Sequence, residues 1–332
     1  MNKTSVYDTI YEAKPLLKMH VNPFNLYNVQ KKEEKNMKWE NLREEEFEGA
    51  IKRSGGLCVM VLGCLEKHGQ HLPVGTDSLK GDKIVELATE RADVMMFPTS
   101  MWLGDVSSAH IFENPVETKK HGFIGMNPQT MLTVLEELCD EIARNGFKKI
   151  LLLSSHGGNT HILGFFVRSQ LYKKKDYITL NAKAYDFVKD LSPANVLAMA
   201  KNDPEGFSML TEEDYMTLER YAETGTGGGH ADFRETCLLY GTHPDLVAPD
   251  RFEAEDGISN GKLSFPAEFG INTYASWLVN NPNAFDGYAP IGATPTLGKA
   301  YLKIAVDKLT RMLTLLKNDT SCLDAIEEIK TM

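Results

Sequence analysis

The chain has 332 residues, 42% of them hydrophobic and 25% charged, with a formal net charge of −10. That length and balance can bury a full core, in one large domain or two modest ones. The negative charge argues against a nucleic-acid binder or a binder of anionic membranes, because phosphate surfaces demand basic patches.

Five cysteines, Cys58, Cys64, Cys139, Cys237 and Cys322, are scattered without a C-x-x-C pair. Neither a disulfide framework nor a cysteine zinc site is indicated, and a reducing, cytoplasmic setting is expected. No run of 18 apolar residues exists, so no spanning helix is expected.

Residues 1–36 read as a variable N-terminal arm, with a compact domain over 37–332. A first helix is expected around Arg43 to Arg53. The run Leu57-Cys58-Val59-Met60-Val61-Leu62 is almost wholly apolar, the signature of a strand buried on both faces. A polar loop follows from Gly63 to Asp77, then a helix from Leu79 to Ala92 and a short strand at Val94 to Pro98. A long irregular segment runs from Ser100 to Pro128. Met131, Leu132, Leu135, Leu138 and Ile142 give helical periodicity over 129–145, and Gly146 is a natural stop. Strands at 149–153 and 177–180 enclose a helix over 161–172. Residues 190–225 read as a polar, acidic insertion, and a helix over 296–316 closes the domain. Alternating strands and helices define an α/β fold with a mostly parallel central sheet and helices on both faces.

In such sheets ligands bind at the carboxyl ends of the strands. Two histidine-bearing segments sit there: 63–77, with Glu66, His68, His71 and Asp77, and 154–161, with His156, Asn159 and His161. A third, 227–236, carries His230, Asp232 and Glu235. Together they hold five of the nine histidines. Glu, His and Asp side by side suit a divalent ion such as Zn²⁺, with Mn²⁺ or Fe²⁺ as alternatives. In an extended E-x-H, Glu66 and His68 project to one side.

The first segment resembles the creatininase-family motif E-x-H-G-x-H-L-P-x-x-T-D, matching at Glu66, His68, Gly69, His71, Leu72, Pro73, Thr76 and Asp77. The second resembles N-G-H-G-G-N, with serine in place of the first Asn. The third resembles H-A-G-x-x-E-T-S at His230, Ala231, Glu235 and Thr236, with Asp232 for Gly and Cys237 for Ser. Residues 292–297 look like the family's late G-x-P-T segment. The resemblance covers roughly residues 37–316.

It implies a three-layer α/β/α hydrolase with two divalent ions, often a homo-oligomer, with a hexamer as one form. By analogy Glu66 and His156 hold one metal and His68 the other, with Asp77 between them. Creatininase carries a Glu at the place of Gly158 and another at the place of Gly229. Glu235 is the expected substitute for the first, and both departures disfavour creatinine itself as substrate.

The expected chemistry is attack of an activated water on an amide carbonyl of a small molecule, a cyclic amide or a formamide. His230 is the candidate proton donor to the leaving group. His71, Asn159 and Asp232 are candidates for orienting substrate or ligands. His110, in Ser107-Ser108-Ala109-His110, resembles a family substrate loop. Lys67, Lys80, Lys119, Lys120 and Arg234 are the basic residues near these loops, too few to favour a phosphorylated substrate. Rival readings keep the metals but open the ring of a cyclic ketone or a sugar-like or inositol-derived compound, or make the chain a non-enzymatic binding module. No G-x-S-x-G elbow supports a serine hydrolase.

Overall fold

A computed structural model describes residues 37–106, 109, 111, 121–182, 191–265, 269–271, 273 and 275–332. The proposed arm, 1–36, lies outside the described residues, as do Ser107, Ser108 and His110 of the expected substrate loop.

The apolar runs form the sheet. Strands β1 (Leu57–Leu62), β2 (Met95–Met96), β3 (Lys149–Ser154) and β4 (Ile178–Ala182) stand in the order β2-β1-β3-β4, and every pairing is parallel. Every residue of β1 and β3 is buried. Successive side chains of a strand point to opposite faces, and here they feed two separate cores. Leu57, Val59, Val61, Leu151 and Leu153 belong to one, Cys58, Met60, Leu62, Ile150 and Leu152 to the other.

The first core is covered by α2 (Thr76–Ala92), α5 (Pro193–Asn202), α6 (Glu212–Thr224), α7 (Phe233–Thr242) and α9 (Pro295–Asn318). The second is covered by α1 (Phe47–Arg53), α3 (Pro128–Arg144) and α4 (Asn159–Ser169). The expected α/β/α layering is therefore observed, with the central sheet parallel throughout its described strands. No described helix is long and apolar enough to cross a membrane.

Several elements differ from the sequence reading. Helix α2 begins at Thr76 rather than Leu79, which puts Asp77 in its first turn. The strand expected over 94–98 contracts to two residues, followed by a bond from Phe97 N to Val59 O (2.8 Å) and then by Pro98, which has no N–H to donate.

The segment 190–225 is no polar insertion. Helices α5 and α6 turn Val196, Ala200, Leu218 and Tyr221 into the first core. Helix α6 opens with Thr211 and Asp214 satisfying each other's backbone N–H groups. The same Asp214 accepts from the Thr294 and Thr296 hydroxyls, both at 2.6 Å, which ties α6 to the start of α9. Helix α9 does not close the described chain, because α10 (Ser321–Thr331) follows it. At that junction buried Lys149 donates to the carbonyls of Leu316, Lys317 and Asp319 at 2.7, 2.8 and 2.9 Å. Its ammonium meets the unpaired end of α9, where a cation is favoured.

Candidate metal centre

Strands β1 and β3 are neighbours in register, Leu62 opposite Ser154, so the loops that leave them start side by side. Asn159 locks them together. Its amide donates to the carbonyls of Leu62 (3.1 Å) and Gly63 (3.2 Å), and its oxygen accepts from Asp105 N at 2.7 Å. Ser155 spans the same gap, its hydroxyl donating to the carbonyl of Asp77 at 2.8 Å.

From β1 the chain delivers Cys64, Glu66 and His68. The loop closes on itself through Glu66 N to Val74 O (3.0 Å) and a bridge between His68 and Leu72. His68 Nδ1 donates to the carbonyl of Glu66 at 3.2 Å. That leaves Nε2 facing Asp77 Oδ2 at 3.4 Å and Glu235 Oε2 at 3.6 Å, fully buried and without a hydrogen-bond partner. From β3 comes His156. Its Nε2 donates to the Asp105 carbonyl at 3.0 Å, so Nδ1 turns inward to Asp77 Oδ2 (3.0 Å) and Glu66 Oε1 (3.1 Å).

The third segment reaches the same place from α7. Glu235, in the helix's first turn, accepts from Ala231 N at 2.7 Å. Ala231 takes a left-handed φ of +61°, a conformation that costs an L-residue energy and is held here by this bond. Asp232 Oδ2 accepts from Gly229 N at 2.6 Å. His230 Nε2 donates to the Lys67 carbonyl at 2.9 Å, leaving Nδ1 3.6 Å from Glu66 Oε1 and 3.8 Å from Glu235 Oε2.

Two donor sets result, joined by one carboxylate. Cys64, Glu66, Asp77 and His156 make the first, and His68, Asp77 and Glu235 the second, with donor atoms within 4.8 Å of one another in each. A further grouping of Glu66, His68 and His230 places His230 beside both. The residues fit divalent ions on two counts. His68 Nε2 is a buried polar atom with no hydrogen-bond partner, which a hydrogen-bonding network alone would not leave unmet. Three carboxylates, those of buried Glu66 and Asp77 and partly buried Glu235, crowd the centre, and the buried ammonium of Lys80 touches only Asp77 Oδ1 and Glu235 Oε1.

The electrostatics follow from these contacts. Burial opposes the charge of Asp77, but Lys80 and His68 outweigh it and hold the carboxyl well below its usual range. Glu235 is likewise depressed, to about 2, burial being outweighed by Lys80 and the nearby histidines. Burial disfavours protonation of His156, yet Cys64, Glu66 and Asp77 together raise it well above its ordinary value. Asp232 goes the other way, pushed up to about 7 by burial.

All the candidate site residues within the described chain gather here, though not in one layer. Glu66, His68, Asp77, His156 and Glu235 present donor atoms to the centre, and His230 flanks it. His71, Asn159 and Asp232 lie behind it, inside the loops. His71 Nε2 donates to Thr236 Oγ1 at 3.0 Å, and that hydroxyl donates in turn to the Asp232 carbonyl at 2.8 Å, stitching the first segment to the third. His161 is exposed and stands in none of the donor groupings. Of the basic residues near the loops, Lys67 pairs with Glu255 (2.6 Å), Arg234 donates to the Gly229 carbonyl (3.3 Å) and Lys80 meets the centre's own Asp77 and Glu235, while Lys119 and Lys120 lie outside the described residues.

Cys64, and Lys80, which the sequence marks only as a basic residue near these loops, also belong to the centre. Lys80 sits three residues after Asp77, a spacing that shares a helix face once Asp77 is recognised as helical. At position 158 an added Cβ would fall 2.4 Å from His156 Nε2 and 2.8 Å from the Asp105 carbonyl, so the pair that orients His156 excludes any side chain there.

Residues 40–313 match the profile of the family Creatininase, described as creatinine amidohydrolase. The chain belongs to the creatininase family. It is a family of metal-dependent amidohydrolases. A creatinine amidohydrolase of Pseudomonas putida is 24% identical over 216 residues, 62% of this chain and 72% of that protein. A manganese form of creatininase is 19% identical, covering 85% of this chain and 99% of that one at a TM-score of 0.57. A zinc–zinc form of a creatininase variant has the same coverage and TM-score at 18% identity. At these identities the structural matches establish the shared fold. Within the creatininase family, then, this chain keeps the first motif intact and completes the second donor set with Glu235, contributed by α7.

Proposed function

We propose that this chain hydrolyses a C–N amide bond, in a cyclic amide or a formamide, of a small molecule. It would do so with two divalent ions, zinc first among them, on Glu66, Asp77 and His156 and on His68, Asp77 and Glu235. The observation that carries this reading is the position of Asp77 Oδ2, 3.0 Å from His156 Nδ1 and 3.4 Å from His68 Nε2. One carboxylate oxygen thus faces both donor sets while its partner oxygen is held by Lys80. Ions bound there supply an activated water and polarise the carbonyl under attack.

The chain's own residues do the rest. Lys80 fixes Asp77 and Glu235 and offsets part of their charge. Asp105 and Glu66, through their carbonyls, set the ring orientations of His156 and His68. His230, the most exposed of the histidines at the centre, would hand a proton from Nδ1 to the leaving nitrogen, its Nε2 being held by Lys67. Glycine at 158 and at 229 gives a differently built centre from that of creatininase, which supports a substrate other than creatinine. All five cysteines are free, which supports a reducing, cytoplasmic setting. A homo-oligomer remains part of this proposal.

Metal content per chain, measured by elemental analysis on wild type beside Asp77→Ala, tests it. About two equivalents of zinc, manganese or iron in the wild type, lost in the variant, is the expected result. Hydrolysis of lactams and formamides is then screened. Absence of stoichiometric metal after reconstitution would overturn the proposal.

A further inference from the structure

The first donor set contains a residue that the family analogy does not call for. Cys64 is completely buried, and its Sγ lies 3.1 Å from Asp77 Oδ2, the oxygen that also faces His156. Its backbone is fixed: the Ser78 hydroxyl donates to the Cys64 carbonyl at 3.1 Å, and Asn159 holds the carbonyl of Gly63. The other cysteines are elsewhere, with Cys58 and Cys139 in one core, Cys237 in the other and Cys322 on α10.

We propose that Cys64 is a metal ligand, closing the Glu66–Asp77–His156 position with a fourth protein donor and leaving the His68–Asp77–Glu235 position as the one open to water and substrate. This rests on the two-metal reading above and adds a division of labour to it. Closed four-ligand sites hold zinc structurally, whereas three-ligand sites keep a place for the reacting water.

The spacing suits such an ion. Around a tetrahedral zinc, bonds of about 2.0–2.3 Å put neighbouring donors roughly 3.3–3.6 Å apart. The contacts from Asp77 Oδ2 to Cys64 Sγ and to His156 Nδ1, and from Glu66 Oε1 to His156 Nδ1, are 3.1, 3.0 and 3.1 Å. A few tenths of an ångström of expansion would accommodate the ion. The bookkeeping is simple: the S–H bond breaks, the S–metal bond forms, the proton leaves to solvent, and nothing is oxidised. A sulfur donor selects zinc over harder manganese, which prefers oxygen.

Cobalt(II) added to chelator-treated full-length protein tests this directly. A thiolate-to-cobalt charge-transfer band in the near ultraviolet is expected with the first equivalent bound. In Cys64→Ser that band should vanish while visible cobalt bands persist, and the preference for zinc over manganese should fall roughly tenfold or more. X-ray absorption at the zinc edge of singly loaded wild type needs no variant, and it should show a sulfur neighbour at about 2.3 Å. Two equivalents of metal bound with no sulfur neighbour, or a charge-transfer band that survives in Cys64→Ser, overturns the role of Cys64 and leaves the two-metal reading standing. A wild type that takes up no metal overturns both.

Discussion

The ammonium of Lys80 touches Oε1 of Glu235, 155 residues further along the chain, and at the same time Oδ1 of Asp77. The oxygens it leaves, Asp77 Oδ2 and Glu235 Oε2, are the ones that face His68. One buried cation thus decides which half of each carboxylate is offered to the centre.

Replacing Lys80 with Met removes that cation and leaves the buried carboxylate of Asp77 and the largely enclosed one of Glu235 without their shared counter-charge. Breaking a buried pair by deleting one partner costs about 3–5 kcal/mol. Denaturant unfolding of chelator-treated Lys80→Met should show a loss of that order against wild type, with much of it restored by zinc, which supplies positive charge to the same carboxylates. Equal stability of the two metal-free proteins would show that the contact does not carry the charge balance assigned to it.

The two donor sets should be separable. Glu235→Gln removes an acceptor from the second set only, and His156→Ala a donor from the first only. Each variant is expected to keep one metal equivalent while Asp77→Ala keeps neither, as read by elemental analysis after dialysis. Loss of both equivalents in Glu235→Gln would mean that the sites fill cooperatively rather than independently.

His71 sets a pH dependence. Burial, then the nearby His68, pushes its pKa from an ordinary 6.5 down to about 4. The unfolded chain therefore takes up a proton that the folded chain refuses as pH drops below 6.5. Stability contributed by the neutral ring is complete above that value and is lost as pH falls towards 4, a difference of about 3 kcal/mol. The gap in unfolding free energy between wild type and His71→Gln should change by that order between pH 7 and pH 4. A gap that stays constant across that range would rule out His71 as the source.

Gly229 is closed to side chains. A Cβ there would lie 1.8 Å from the Asp286 carbonyl, backbone that cannot swing aside. It would also disturb the neighbouring bond from Asp286 N to the His230 carbonyl, 3.0 Å. Gly229→Ala should lower stability by roughly 1–3 kcal/mol, the usual range for overpacking, and reduce the affinity for metal at the second set by displacing the start of α7. Thermal unfolding and metal titration together check both effects.

Much of this architecture is legible in the residues themselves. Strands β1 and β3 announce themselves because burial on both faces demands unbroken apolar runs, and the E-x-H spacing of Glu66 and His68 reads directly as a shared side. Lys80 escapes because three residues of helix α2, Thr76 to Ser78, look like loop. With Asp77 read as loop, the one-turn relation to Lys80 disappears. Cys64 escapes because its apolar neighbours make it look like core. Helix α6 hides behind an acidic surface, its buried apolar positions Leu218 and Tyr221 standing three residues apart among Glu212, Glu213, Glu219 and Glu223, and the short apolar α5, with Val196 and Ala200 four residues apart, is masked by that acidic neighbourhood. Glu235 is placed by contacts spanning the whole domain, which no local pattern encodes.

Trp277, on the short helix α8 (Ser276–Asn280), lies edge-on to His230 with ring centres 5.6 Å apart. The protein has only two other indoles: Trp39, packed among Phe47, Phe97 and Phe147, and Trp102, on the surface. With both changed to phenylalanine, the remaining emission comes from a ring in contact with the flank of the centre. The molecule therefore carries its own optical gauge there, able to register a charge or a guest arriving beside His230 before any product has formed and before its chemical identity is known.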